Sequence, residues 1–348
     1  MYNILITSVG GTLAPYLINK IKNGKFKDLK ITGTNQSSNC NAKYFLDNFV
    51  VTPSGKSVKY ISNIKRIIKK YKIDLLIPGS DEEALNLSKN INDFKKTKCT
   101  IATIDYKTLY IFSDKIRTYK SLKEKNLPFP EFDIIKNFNE IKKKIKDFNK
   151  KDFVIKPSLS RGGRNVLVVR SDIKKVFFKN YGRETHVPIN KINNKHFLMY
   201  KKIFFPLVIS ERLREPTFDL DMLAYRGKSI RVVSRKRLNS AEPNAGHIVK
   251  RINKLENIGK NLIKKFNLSW LYDCDLMIDE KGEYKIIEIN PRMSGSSVVS
   301  VEAGYPLFDD MISILRNKKI KKINKPINKI IFPYTSLGSI EKIKWKKR

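Results

Sequence analysis

Residues 273–296, DCDLMIDEKGEYKIIEINPRMSGS, place several oxygen-bearing side chains where they can act together. The run reads as two strands, 271–278 and 284–289, joined by the turn Asp-Glu-Lys-Gly. Glu288 and Asn290 are two positions apart, so on an extended chain they face the same way, and Asp275 on the first strand meets them across the turn. Carboxylate and amide oxygens gathered in this way suit magnesium, which prefers oxygen ligands and keeps phosphate oxygens in its shell. Arg292 follows directly, and the forked donors of a guanidinium suit a triphosphate or an acyl phosphate.

Two further segments carry related chemistry. In VIKPSLSRGGRNVLVV, residues 154–169, Lys156 ends a strand and a turn containing Arg161, Gly162 and Gly163 follows. Glycines let backbone N–H groups approach phosphate oxygens, so this turn can act as a flap over them while Lys156 supplies a point charge. In LVISERLREPTFDLDMLAY, residues 207–225, an apolar strand ends at Glu211 and the chain restarts as an alternating strand at Phe218. An extended link of this kind offers backbone groups to the edge of a base, with Ile209 and Leu213 to pack on its faces.

The elements that must position these residues follow from periodicity. Residues 1–110 alternate short apolar runs with amphipathic stretches, the pattern of a parallel sheet covered by helices. Its strands are expected at 4–9, 75–78 and 99–104, and Ile61, Ile64, Ile67, Ile68 and Tyr71 form one face of a helix between them. The first loop, SVGGTLAP, matches neither a dinucleotide nor a Walker A fingerprint. A helix is expected from Ser113, as its cap, to Lys125, before Pro128 and Pro130. Strands are expected at 153–157, 166–169 and 207–210, and a helix at 248–266. From residue 317 the chain is lysine-rich, with one apolar run at 330–332, and reads as an appended tail.

The chain has 348 residues and is 41% hydrophobic, enough to bury two or three packed lobes. Its formal charge of +38 is carried mostly by lysines scattered along the whole length. No RNA-binding aromatic signature, zinc finger or basic heptad accompanies them, so nucleic acid is not the partner expected. No apolar stretch is long enough to span a bilayer, and a cytoplasmic protein without membrane partners is expected. Cys40, Cys99 and Cys274 lie far apart with no metal-ligand spacing, and read as free buried thiols. The three histidines, His186, His196 and His247, sit outside the hairpin.

In their order along the chain, these motifs resemble the ATP-grasp superfamily, in the branch of the carbamoyl phosphate synthase large subunit, over about residues 1–315. The resemblance implies an α/β protein. A Rossmann-like pre-ATP-grasp domain at 1–110 would precede a two-lobed ATP-grasp domain of mainly antiparallel sheets at 111–316, with a lid at about 150–210. A basic C-terminal extension at 317–348 would follow. By the resemblance, ATP is held by Lys115, Lys156, Arg161, Gly162 and Gly163 at its phosphates and by Glu211, Arg212 and Leu213 at its adenine. Mg2+, or Mn2+ in its place, is held by Asp275, Glu288 and Asn290. Arg292 is the phosphate-binding arginine and Arg235 steadies an acyl phosphate, with Arg237 as its rival. Thr217 stands where relatives place a glutamate for the ribose hydroxyls, which leaves Asp219 or Asp221 as substitutes. The implied activity is a carboxylate–amine ligase that forms an amide through an acyl phosphate and releases ADP and phosphate. Its partners would be a small carboxylate and a small amine, with a homodimer left open. A nucleotide-binding regulator without ligase activity, and a basic protein that binds nucleic acid or an anionic surface, are the alternatives.

Overall fold

In the computed structural model, which describes residues 1–149, 152–160, 162–179, 182–203, 205–323 and 327–334, the chain forms three sheets. β1 (Tyr2–Ile6), β2 (Leu29–Asn35), β3 (Asn48–Val51), β4 (Leu75–Ile77) and β5 (Thr100–Ile101) make a parallel sheet in the order β3-β2-β1-β4-β5. Strands covered by helices on both sides need apolar residues at every position, and Ile4, Leu5, Ile6, Leu75, Leu76 and Ile77 are all buried. The helix Tyr60–Tyr71 turns Tyr60, Ile64, Ile67 and Ile68 onto that sheet. β2 and β3 escaped the sequence pattern, because β2 mixes Lys30, Thr32, Gly33 and Thr34 among its apolar residues and β3 is only four residues long.

The helix expected from Ser113 to Lys125 is present, and a separate helix precedes it. Helix Tyr106–Phe112 ends on Ser113, and helix Lys115–Glu124 starts from Asp114, whose carboxylate accepts the Arg117 N–H at 2.9 Å. Asp114 rather than Ser113 is therefore the cap, since its carboxylate satisfies a donor left unpaired at the helix start.

β6 (Phe132–Ile135), β7 (Phe153–Pro157), β8 (Val166–Arg170), β9 (Phe177–Lys179), β10 (Glu184–Pro188) and β11 (Leu207–Glu211) form the second sheet, in the order β6-β11-β7-β8-β10-β9. Its ladder is antiparallel except between β8 and β10. One face packs Phe153, Ile155, Leu167, Val169, Leu207 and Ile209 into a buried cluster. Strand alternation sends Val154, Lys156, Val166 and Val168 to the other face.

β12 (Arg214–Tyr225), β13 (Lys228–Arg237), β14 (His247–Lys250), β15 (Trp270–Ile278), β16 (Tyr284–Asn290) and β17 (Asn328–Ile331) form the third sheet, antiparallel, in the order β16-β15-β12-β13-β14-β17. Two expectations change here. The helix expected from Ile248 begins only at Asn253, because residues 247–250 pair with β13 as a strand. The run at 330–332 is not part of a free tail, since residues 328–331 add β17 to the sheet edge beside β14. Among the described residues no helix is long and apolar enough to cross a membrane.

Candidate functional site

A cleft of about 870 Å³ is lined by the second and third sheets, by Lys115 and the loops at 240–245 and 292–296, and by Asp81, which follows β4. Its floor is the hairpin β15–β16. A bulge after Asp275 sets Asp275 opposite Glu288 and Asp273 opposite Asn290, so all four side chains gather at one end. The Asn290 amide donates to Asp273 Oδ2 at 2.9 Å. Lys115, at the start of its helix, places Nζ 3.8 Å from Glu288 Oε1 and donates to the Ser160 carbonyl at 2.5 Å, tying the hairpin to the glycine turn.

The carboxylates here are crowded and dry. Burial pushes Asp275 up to about 6, with Asp219 and Glu288 adding to the rise and the Arg237 guanidinium opposing it. Asp273 is pushed well above the usual carboxylate range, first by burial and then by Asp275 and Asp219. Oxygens of Asp219, Asp273 and Asp275 lie within 4.8 Å of one another. Asp275 Oδ1 is buried and has no hydrogen-bond partner among the described residues. An all-oxygen set with an unsatisfied buried carboxylate oxygen fits a divalent cation, because such an atom is costly to leave without a partner. Asp273 was not picked out from sequence, although its spacing of two from Asp275 already puts both on one face.

The second sheet roofs the cleft. Lys156 on β7 donates to the Tyr119 hydroxyl at 3.0 Å. Burial pulls its ammonium down to about 8, against the pull of Glu288 and Glu184. Gly162 and Gly163 line the roof in left-handed backbone, with φ of +59° and +70°, a region in which a side chain would be strained. Arg161 lies outside the described residues. At the back, Glu211, Arg212 and Leu213 all face the cleft. Glu211 Oε1 accepts the Glu131 N–H at 2.8 Å and Arg212 pairs with Asp152 at 2.8 Å, so these side chains brace the link. Ile209 does not reach the cleft, because alternation turns it into the core of the second sheet and presents Ser210 instead. Apolar surface comes from Leu213, Val154, Val168 and Met277.

Thr217 lines the cleft with its N–H bonded to Ser240 Oγ at 3.0 Å. Asp219 and Asp221, the expected substitutes at the ribose, are engaged elsewhere. Asp219 is bound by Arg237 and by His247 Nε2 at 3.1 Å, and Asp221 is fully buried against Arg235, Ser297 and Ser300.

The two arginines of β13 divide differently from the expectation. Arg235 is completely buried, with Nη2 3.1 Å from Asp221 and 3.4 Å from Asp273 and Nη1 2.9 Å from Ser296 Oγ, and it does not line the cleft. Arg237, two residues nearer the rim, does, clamped by Asp219 at 2.5 Å and Asp275 at 2.7 Å. Arg292 also lines the cleft, and its Nε lies 3.0 Å from Asp81 Oδ1. Asp81 carried no recognisable motif, since it stands about two hundred residues before Arg292, which it joins.

Residues 204–334 match the family described as ATP-grasp in the biosynthetic pathway with Ter operon, and residues 4–102 match the PylC-like N-terminal domain. With the three-sheet fold and the cleft, these matches make the chain similar to ATP-grasp proteins in fold and in sequence. It is 26% identical over 264 residues to an uncharacterized protein of Methanocaldococcus jannaschii, covering 74% of this chain and 56% of that protein. It is 21% identical over 287 residues to the carbamoyl phosphate synthase large chain of Methanobrevibacter smithii, covering 76% of this chain and 25% of that one. The chain thus spans about half of the first of these curated relatives and a quarter of the second. The fold is also similar to that of N5-carboxyaminoimidazole synthetase from Staphylococcus aureus complexed with ADP. The TM-score is 0.66 at 17% identity, over 93% of this chain and 80% of that structure.

Proposed function

We propose that the chain is an ATP- and magnesium-dependent carboxylate–amine ligase that works through an acyl phosphate. The observation that supports this best is the meeting in one cleft of Lys115, Lys156, Arg237 and Arg292 with the oxygen-rich hairpin end of Asp275, Glu288 and Asn290. Phosphoryl transfer to a carboxylate brings two anions together, and such a site must supply the compensating positive charge. The relative solved with ADP supports a nucleotide in the cleft. Asp275, Glu288 and Asn290 would hold the metal, whose charge neutralises the phosphate oxygens when it is bound.

In this reading Leu213, Val154, Val168 and Met277 pack against the base while Lys115 and Lys156 hold the phosphates beneath the glycine turn. A carboxylate oxygen attacks the γ-phosphorus, the bond to the β,γ-bridging oxygen breaks, and ADP leaves. The amine nitrogen then attacks the acyl carbon, phosphate departs with the C–O bonding pair, and the nitrogen loses a proton. Arg237 and Arg292 face the charge that develops on the transferred group, and closure of the turn keeps water from the acyl phosphate.

The test is a screen of amino acids and other small carboxylates with hydroxylamine in place of the natural amine. The expected result is a hydroxamate formed together with ADP and phosphate. Formation of AMP and pyrophosphate would instead show an adenylate, and the acyl phosphate route would be abandoned.

A further inference from the structure

In the N-terminal sheet the strand order reverses between β1 and β4, and the crevice outside the carboxyl ends of such strands is where open α/β sheets present functional groups. The turn that leaves β4 is locked against the end of β1. The buried Glu83 carboxylate accepts Thr7 Oγ1 at 2.7 Å and Ser8 Oγ at 2.8 Å, and Thr7 Oγ1 in turn accepts the Gly79 N–H at 3.0 Å. A Cβ on Gly79 would collide with the Thr7 carbonyl, so this close approach requires glycine. Ser80 caps the following helix, Asp81–Lys89, by accepting the Glu83 N–H at 3.4 Å. These contacts leave Asp81 at one defined point, only 5% exposed, on the wall of the cleft.

At that point Asp81 Oδ1 is 3.0 Å from Arg292 Nε, while Arg292 Nη1 donates to the Met293 carbonyl at 2.8 Å. The hydrogen bond to Met293 holds one edge of the guanidinium, and the 3.0 Å ion pair with Asp81, which is not aligned as a hydrogen bond, draws the Nε side by charge, so the two together restrict where the rest of the fork points.

We infer that Asp81 is the positioning residue that orients Arg292 toward the phosphoryl group transferred in the cleft, which gives the N-terminal sheet a direct part in the reaction. This rests on the ATP-dependent reading above. Asp81 acts through Arg292 and need not touch the nucleotide itself.

The experiment measures the affinities of Mg-ADP and of the magnesium complex of β,γ-methylene-ATP by calorimetry, and takes their ratio as the readout of contacts to the terminal phosphoryl group. It uses the wild type, Asp81→Ala, Asp81→Asn, Asp81→Glu, Arg292→Ala and the Asp81→Ala/Arg292→Ala double variant. Asp81→Ala and Asp81→Asn are expected to lower the preference for the triphosphate about tenfold, the scale of one charge-assisted contact. Asp81→Glu should restore most of it. The double variant should match Arg292→Ala, because a residue acting only through Arg292 has nothing further to lose. An unchanged ratio in folded Asp81→Asn, or a second tenfold loss in the double variant, would overturn the inference. A wild type that binds neither nucleotide would remove the ATP reading and this inference with it, whereas a wild type that binds both with unaltered ratios in the variants would remove this inference alone.

Discussion

Lys156 offers a sharp separation between stability and binding. Its ammonium sits in the roof of the cleft, and burial brings it from an ordinary 10.5 down to about 8. The unfolded chain binds this proton more tightly than the folded one, so between pH 8 and about 10.4 the unfolded state carries more protons and stability rises with pH. Below pH 8 the cost of the buried charge is present in full. The shift corresponds to roughly 3 kcal/mol at about 1.4 kcal/mol per pH unit, and the partial access of the side chain to cleft water reduces this to about 1 to 2 kcal/mol. Lys156→Met keeps the apolar stem and removes the charge. Without nucleotide at pH 7 it should melt about 2 °C or more above the wild type, an advantage that vanishes by about pH 10. The same variant should lose at least about tenfold in Mg-ATP affinity, because a charge-assisted phosphate contact is gone. In the wild type the free protein loses this proton progressively above pH 8, so Mg-ATP should bind more weakly at pH 9 than at pH 7 and should take up a proton on binding. Melting curves across pH, with calorimetry in buffers of different ionisation enthalpy, measure both effects. A Met variant less stable than the wild type at pH 7, or an ATP affinity that is flat from pH 7 to 9, would refute the reasoning.

Replacement of Glu288 by Gln should abolish turnover while weakening Mg-ATP binding much less, since the metal's main work is on the group in transfer; normal turnover would leave the hairpin a structural element only. Arg235→Ala should cost about 3 to 5 kcal/mol in urea unfolding, because it strands the buried carboxylates of Asp221 and Asp273. Arg237→Lys should stay folded and keep its nucleotide affinity but lose more than about tenfold in turnover, as the fork is replaced by a point charge. If Arg235→Ala is as stable as the wild type, the division of roles between the two arginines is wrong.

The hairpin of β15 and β16 was legible in the sequence because strand alternation acts over two residues, and Glu288 and Asn290 needed nothing more distant to share a face. Equally local signals marked Lys156 near the end of β7, the covered strands β1 and β4 as unbroken apolar runs, and the glycine turn by its composition. The rest depended on which other strand lies alongside. Residues 247–250 look helical when read together with the helix Asn253–Lys265, but the free edge of β13 recruits them as a strand and turns His247 onto Asp219. The run at 330–332 looked like part of a tail until the edge of β14 offered it a partner. Periodicity puts Arg235 and Arg237 on one face of β13 and does not say how deep each lies; the loop carrying Ser296 covers the first and leaves the second at the cleft. Asp81 shows the limit most clearly. Local sequence fixes its helix and cap, but its meeting with Arg292 is decided by the packing of a parallel sheet against a hairpin about two hundred residues later, and a contact between distant segments leaves no period in the sequence to mark it.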